Sequence, residues 1–242
     1  MKSEVRSPKS ERGPKGEARK VWVCFAVKEE AEAFQPWARE RAHLKVILVG
    51  MGTRNAERAI RDALTEEGPR LVLTCGFAGG LRSDLAMGTV VFSADPETGL
   101  EPALLVAGAK PARFHCAERV VATAEEKRAL RDATGADAVE MESQTILAVC
   151  REQKIPCATV RVVLDTAQED LPLDFNQLMT PRQKISYGKL ALALARSPGK
   201  VGALLRMQKQ ARAAAGKLAE VLVRILAGVA PDVPAATRPV AN

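Results

Sequence analysis

Several acidic residues stand where a carboxylate could do chemistry rather than keep the chain in solution. AVEMES (138–143) places Glu140 and Glu142 on either side of Met141, just ahead of the apolar helical run Ile146, Leu147, Val149 and Cys150. RVVLD (161–165) ends an apolar run on Asp165, and VKEEAEAF (27–34) follows another apolar run with Glu29 and Glu30. An ionised carboxylate offers two acceptor oxygens, so Glu142 can accept from both hydroxyls of a vicinal diol. Met141 can lie beneath the flat apolar face of a sugar. Behind Val162, Val163 and Leu164, burial raises the pKa of Asp165, keeps it protonated near neutral pH, and makes it a general acid. Taken singly, Glu140 and Glu142 also fit as favourable charge at a helix N-terminus. Their order with Asp165 is what points to chemistry.

Two glycine-rich segments lie between Glu30 and AVEMES. GMGTRN (50–55) follows a strand-like run and opens a helical one, as a dinucleotide-binding turn would. Asn55 stands where the third glycine would be, and the next strand, RLVLTCG, ends without an acid for a ribose hydroxyl, which argues against nicotinamide chemistry. The glycines, Gly52 among them, still let backbone N–H groups approach an anion or a sugar. In GFAGGL (76–81), Gly76, Gly79 and Gly80 permit a tight turn or a close approach of backbone to ligand.

The elements that must position these residues alternate. Strands are expected at 21–27, 44–50, 70–76, 88–94 and 157–165, with a further one at 102–108. Helices are expected over 28–42, with Pro36 forcing a break or a new start, and over 53–68, 123–135 and 143–155. Thr123 caps the third of these, with acids in its first turn and Gly135 as its stop. This alternation predicts a single α/β domain with a largely parallel sheet and helices on both faces. Ligands in such folds sit at the carboxyl ends of strands, here Lys28–Glu30, Gly50–Gly52, Gly76–Gly80 and Asp165.

Bulk properties narrow the classes. Hydrophobic residues make 47% of the 242 and charged residues 27%, a globular balance. Only 4% is aromatic, and the net charge of +7 is concentrated in the first twenty residues and in helix surfaces, so a nucleic-acid binder is not expected. Residues 1–20 read as a disordered basic tail and 231–242 as a loose tail, flanking a domain over 21–230. Five scattered cysteines without a CxxC pair, and only two histidines, predict neither a disulfide frame nor a metal site. With no apolar signal core or membrane-length run, a cytoplasmic location is expected. Residues 185–228 are helical, basic and amphipathic with a break near Pro198–Gly199; they pack on the domain or lie on an anionic membrane surface, which would place the protein at the periphery of the inner membrane.

The series GMG, GFAGGL, VEMES and RVVLDTA resembles the nucleoside phosphorylase and nucleosidase superfamily, above all the 5′-methylthioadenosine/S-adenosylhomocysteine nucleosidases, over roughly residues 21–180. The resemblance implies a three-layer α/β/α fold, no cofactor, and cleavage of the N-glycosidic bond of a purine nucleoside. It implies Glu142 on the ribose hydroxyls with Met141 beneath the sugar and Glu140 beside them, Asp165 assisting purine departure, and Glu30, or its neighbour Glu29, activating water. Gly52, Phe77, Ala78 and Gly79 complete the expected substrate-binding set. ATGADAVEMES, LPLDF and LARSPGKVGALLRMQKQARAA are similar to the hopanoid-associated phosphorylase group, the adenosylhopane nucleosidases, which implies adenine release from a lipid-linked substrate in hopanoid biosynthesis. The sequence departs from the superfamily at Leu164, where a serine usually precedes the aspartate, and at VATAEE (121–126), which lacks an aromatic stacker. It departs again at Phe77 and over a short span between Val91 and Val120. Phosphate as the nucleophile, with Arg54 and Arg82 as candidate ligands, self-association, and a non-catalytic nucleoside-binding module stay open as alternatives.

Overall fold

A computed structural model describes residues 19–180, 183 and 186–229. The expected tails over 1–20 and 231–242 therefore lie outside the described residues, apart from Arg19 and Lys20.

Along the chain run β1 (Val21–Phe25), α1 (Lys28–Ala31), α2 (Gln35–Arg39), β2 (Leu44–Leu48), α3 (Thr53–Glu66), β3 (Leu71–Gly80), β4 (Val90–Ala94) and α4 (Glu101–Val106). They are followed by β5 (Lys110–Pro111), β6 (Phe114–Cys116), α5 (Ala124–Thr134), β7 (Ala138–Glu140), α6 (Ser143–Glu152), β8 (Cys157–Asp165), α7 (Phe175–Leu178), α8 (Tyr187–Arg196) and α9 (Lys200–Ala227). The sheet runs in the order β2-β1-β3-β8-β4-β5, and β7 pairs the end of β3 and carries β6. β2, β1, β3 and β8 are mutually parallel; β4 is antiparallel to β8, and β7 to β3.

Residue alternation divides each central strand between two cores. Val21, Val23 and Phe25 of β1 face one core with Leu71, Leu73, Val160 and the helix residues Leu104, Leu218 and Leu222. Trp22 and Cys24 face the other, with Val72, Ile60 of α3 and Ile146 and Val149 of α6. A strand buried on both sides has no polar face, which is why VWVCF reads as a continuous apolar run. The result is a three-layer α/β/α domain, as expected. Among the described residues no helix is long and apolar enough to cross a membrane.

Two expectations are corrected. PALLVAG is not a strand: Glu101–Val106 is helical, with Pro102 in its first turn, Leu104 buried and Leu105 and Val106 exposed, a one-sided pattern rather than an alternating one. The strand expected to stop at Gly76 continues to Gly80: Gly76, at φ +146°, stays paired with Arg161, and pairing with β8 runs on to Gly79 with a register shift between Ala78 and Gly79. AVEMES lies just ahead of α6, as expected: Ala138–Glu140 is a short strand and Glu142 is the N-cap of the helix. Pro36 does begin a new helix: 28–42 divides into α1 and α2.

Candidate active site

Strand ends converge on one cavity of about 280 Å³. Glu30, Phe77, Ala78, Gly79, Glu140, Met141, Glu142 and Asp165 all line it, so the residues singled out in separate stretches of sequence share one wall, Gly52 excepted. A larger surface cleft of about 440 Å³ lies between α1, α2 and α9 and holds Glu29. That cleft separates the two neighbours: Glu30 faces the acids and Glu29 does not.

At the base of the wall is a residue the sequence reading did not single out. Arg161, midway along β8, is fully buried, and its Nη2 donates to Glu140 Oε2 at 2.6 Å, Thr74 Oγ1 at 3.1 Å and Glu142 Oε2 at 3.3 Å. Burial by itself would lower the guanidinium pKa, but Glu140, Glu142 and Glu30 together hold it above its ordinary value. The available signal was an arginine inside CATVRVVL, an apolar strand where an unpaired charge would be too costly to bury.

Glu140 is wholly engaged. Its Oε2 also accepts from the backbone N–H groups of Glu142 at 2.9 Å and Ser143 at 2.7 Å, and its Oε1 accepts from Ser143 Oγ at 2.7 Å. It therefore closes the first turn of α6 and clamps Arg161, doing the work that a helix-start carboxylate is expected to do. Glu142 is held more lightly, with Oε1 accepting from Gly52 N at 2.8 Å. Loss of hydration pushes its pKa up to about 7, against the pull of Arg161 and with the push of Glu140 and Glu30. Gly52 reaches the site through this one N–H. Its φ of +80° and the Gln183 side chain packed over it leave no room for a Cβ.

Glu30 ties the end of β1 to β3. Its Oε2 accepts from the N–H groups of Ala26 at 2.9 Å and Val27 at 3.1 Å, and its Oε1 from Phe77 N at 2.8 Å. Burial raises its pKa, and Arg161 and these backbone donors oppose the rise.

Asp165 ends β8 beside Gly79 of β3. Lys127 Nζ lies 2.6 Å from Asp165 Oδ2 and also donates to the carbonyls of Thr166 at 2.7 Å and Glu169 at 2.6 Å. The pKa of Asp165 is displaced upward by burial, as expected, but the Lys127 ammonium and its hydrogen bond hold it back. Lys127 is the second residue that sequence reading missed: in TAEEKRAL it looks like one more charge on a surface helix. Leu164, at the position of the usual serine, lines the cavity with an apolar side chain instead.

Of the candidate phosphate ligands, Arg54 is exposed and Arg82 pairs with Asp84 and Asp137; neither lines the cavity. Phe175 of α7, Met179 and Met207 of α9 close its apolar end, a contribution of the later helices that no motif announced.

The phosphorylase superfamily model matches residues 107–196, which include α5, β7, α6 and β8. Over that span the chain is similar to the superfamily. A 5′-methylthioadenosine/S-adenosylhomocysteine nucleosidase of Shewanella pealeana is 25% identical over 162 residues, 53% of this chain and 70% of that protein. An aminodeoxyfutalosine nucleosidase of Campylobacter jejuni is 37% identical over 60 residues, 25% of this chain and 26% of that protein. The crystal structure of the Campylobacter jejuni 5′-methylthioadenosine/S-adenosylhomocysteine nucleosidase superposes with a TM-score of 0.63 at 15% identity, over 86% of this chain and 98% of that one. That likeness establishes the shared α/β/α fold.

Proposed function

We propose that the protein is a purine nucleosidase that cleaves the N-glycosidic bond of an adenosyl compound with water. The observation that carries this reading is the meeting of Glu30, Met141, Glu142 and Asp165 on one buried wall. Glu142 accepts from the ribose hydroxyls, with Met141 against the sugar. Asp165 gives a proton to the purine as the C–N bond breaks and its electron pair leaves on the base. Glu30 takes a proton from the water whose oxygen bonds to the anomeric carbon. Charge at that carbon passes through an oxocarbenium-like state, which nearby carboxylates favour.

Water suits this cavity better than phosphate. Among the described residues the one basic side chain lining it is Arg119, already paired with Glu126 at 2.7 Å. An apolar 5′ substituent suits the end formed by Val120, Leu171, Phe175, Met179 and Met207. A lipid-linked adenosyl group, as in adenosylhopane, is the substrate we favour, with methylthioadenosine as the alternative. Exposed Leu192, Val201 and Leu205, among exposed Lys189, Arg196, Lys200 and Arg206, would set α8 and the first half of α9 on an anionic membrane.

Adenine release from methylthioadenosine, adenosine and a 5′-alkylated adenosine, with and without phosphate, tests the reading. Release without phosphate that Asp165→Asn abolishes is the expected result. A folded protein that binds adenosine but never releases adenine would make it a binding module.

A further inference from the structure

We infer that Lys127 is a positioning residue that sets both the place and the proton affinity of Asp165. The inference deepens the nucleosidase reading and rests on it for its catalytic consequence.

Lys127 sits on α5, yet its side chain is fully buried and its ammonium is saturated. Three donors meet three acceptors, Asp165 Oδ2 and the carbonyls of Thr166 and Glu169. The carbonyls hold the ammonium independently of Asp165, so it is a fixed cation and not a mobile surface charge. Glu169 is turned away from it, with its Oε2 accepting from Thr166 N and Thr166 Oγ1, each at 2.9 Å. Among the described residues no ion pair or hydrogen bond engages Asp165 Oδ1, which leaves that oxygen for a ligand in the cavity.

An acid that donates to a departing purine ends the step as a carboxylate. A fixed ammonium 2.6 Å from Oδ2 stabilises that carboxylate without waiting for solvent to rearrange. The charged groups bearing on Asp165 are this ammonium, which favours the carboxylate, and Glu169, which opposes it; burial opposes it most. Lys127 thus limits how far burial can raise the proton affinity of Asp165, and so keeps the acid able to give its proton up.

The test is the titration of the Asp165 carboxyl by carbon NMR, assigned with Asp165→Asn, beside pH–rate profiles for adenine release. In Lys127→Met the Asp165 titration should move up by about one pH unit or more. The alkaline limb of the rate profile should move up with it, while the maximal rate falls about 10²-fold. Lys127→Gln, which keeps donors for the carbonyls without the charge, replaces the Met variant if that one does not fold. In the wild-type protein the Lys127 Nζ nitrogen signal should step at the pH where Asp165 titrates, and the step should vanish in Asp165→Asn. An unmoved Asp165 titration, or a Lys127 signal indifferent to Asp165, overturns the inference. A rate loss with an unmoved alkaline limb would also overturn it, leaving a structural role. If the wild-type protein releases no adenine, the nucleosidase reading falls by itself, and the two NMR titrations still decide whether Lys127 governs the proton of Asp165.

Discussion

Glu142 changes charge where a cell would notice. Its pKa of about 7 makes it a mixture of acid and carboxylate near neutral pH. If the carboxylate reads the ribose diol, nucleoside affinity measured by calorimetry should strengthen as the pH rises through 7, and Glu142→Gln should flatten that dependence and cost about 1.5–3 kcal/mol of binding. The sign for stability is the opposite. The folded value lies above the ordinary 4.5, so Glu142 contributes stability that is fully present at lower pH and is lost as the pH rises through 7. Denaturant titrations of Glu142→Gln should lack that loss. Arg161 poses the complementary case. Arg161→Met leaves Glu30, Glu140 and Glu142 buried together without their cation, which should cost about 3–5 kcal/mol at neutral pH. The deficit should shrink as the pH falls and the carboxylates take up protons, a trend that thermal unfolding across pH would follow. For Asp165→Asn, adenine release should drop by roughly 10²–10⁴ while binding is retained.

At the scale of elements, β3 places the site because it runs on through Gly76 to set Gly79 beside Asp165. An added Cβ at Gly76 would overlap Glu30 Oε1 and lie 2.7 Å from Arg161 Nη1, at a φ of +146° that other residues rarely adopt. Gly76→Ala should therefore lower thermal stability and adenine release together, whereas Gly68→Ala, with open space around it, should change neither. α9 packs into the same core as Ala31 of α1. Its second half buries Leu218, Leu222 and Ile225 in the first core while Met207 reaches the cavity. Leu222→Ala should cost about 2–5 kcal/mol in denaturant unfolding. The sequence made most of these elements legible because the central strands are buried on both faces and α5 carries both its signals, the Thr123–Glu126 capping box and the left-handed Gly135. It misled at PALLVAG because a short, mostly apolar run fits a strand as easily as a short helix with one buried side. It was silent about β5 and β6, whose two and three residues carry no period to read.

For the molecule as a whole, the question is what the exposed faces of α8 and α9 meet. Leu192, Val201 and Leu205 lie exposed on α8 and α9, on the same helices as Lys189, Arg196, Lys200 and Arg206. If these helices rest on lipid, the protein should sediment with anionic vesicles, release as salt is raised, and ignore neutral vesicles. Val201→Asp with Leu205→Asp should abolish sedimentation and leave turnover of a water-soluble nucleoside unchanged.

The sequence by itself determined the alternating layers, the central strands and the acids that line the cavity. Those follow from local patterns: alternation, caps, and acids at the ends of apolar runs. It could not decide which acid does what. Glu29 and Glu30 are neighbours in the chain, and only the turn of α1 sends one to the surface cleft and the other into the cavity. Glu140 and Glu142 look alike in AVEMES until Arg161, 21 and 19 residues on, engages the first closely and the second at a longer distance. The partner of Asp165 comes from 38 residues earlier, on a helix whose lysine appeared to belong to solvent. Charge pairing in a buried site depends on distance through space, and a sequence records distance only along the chain.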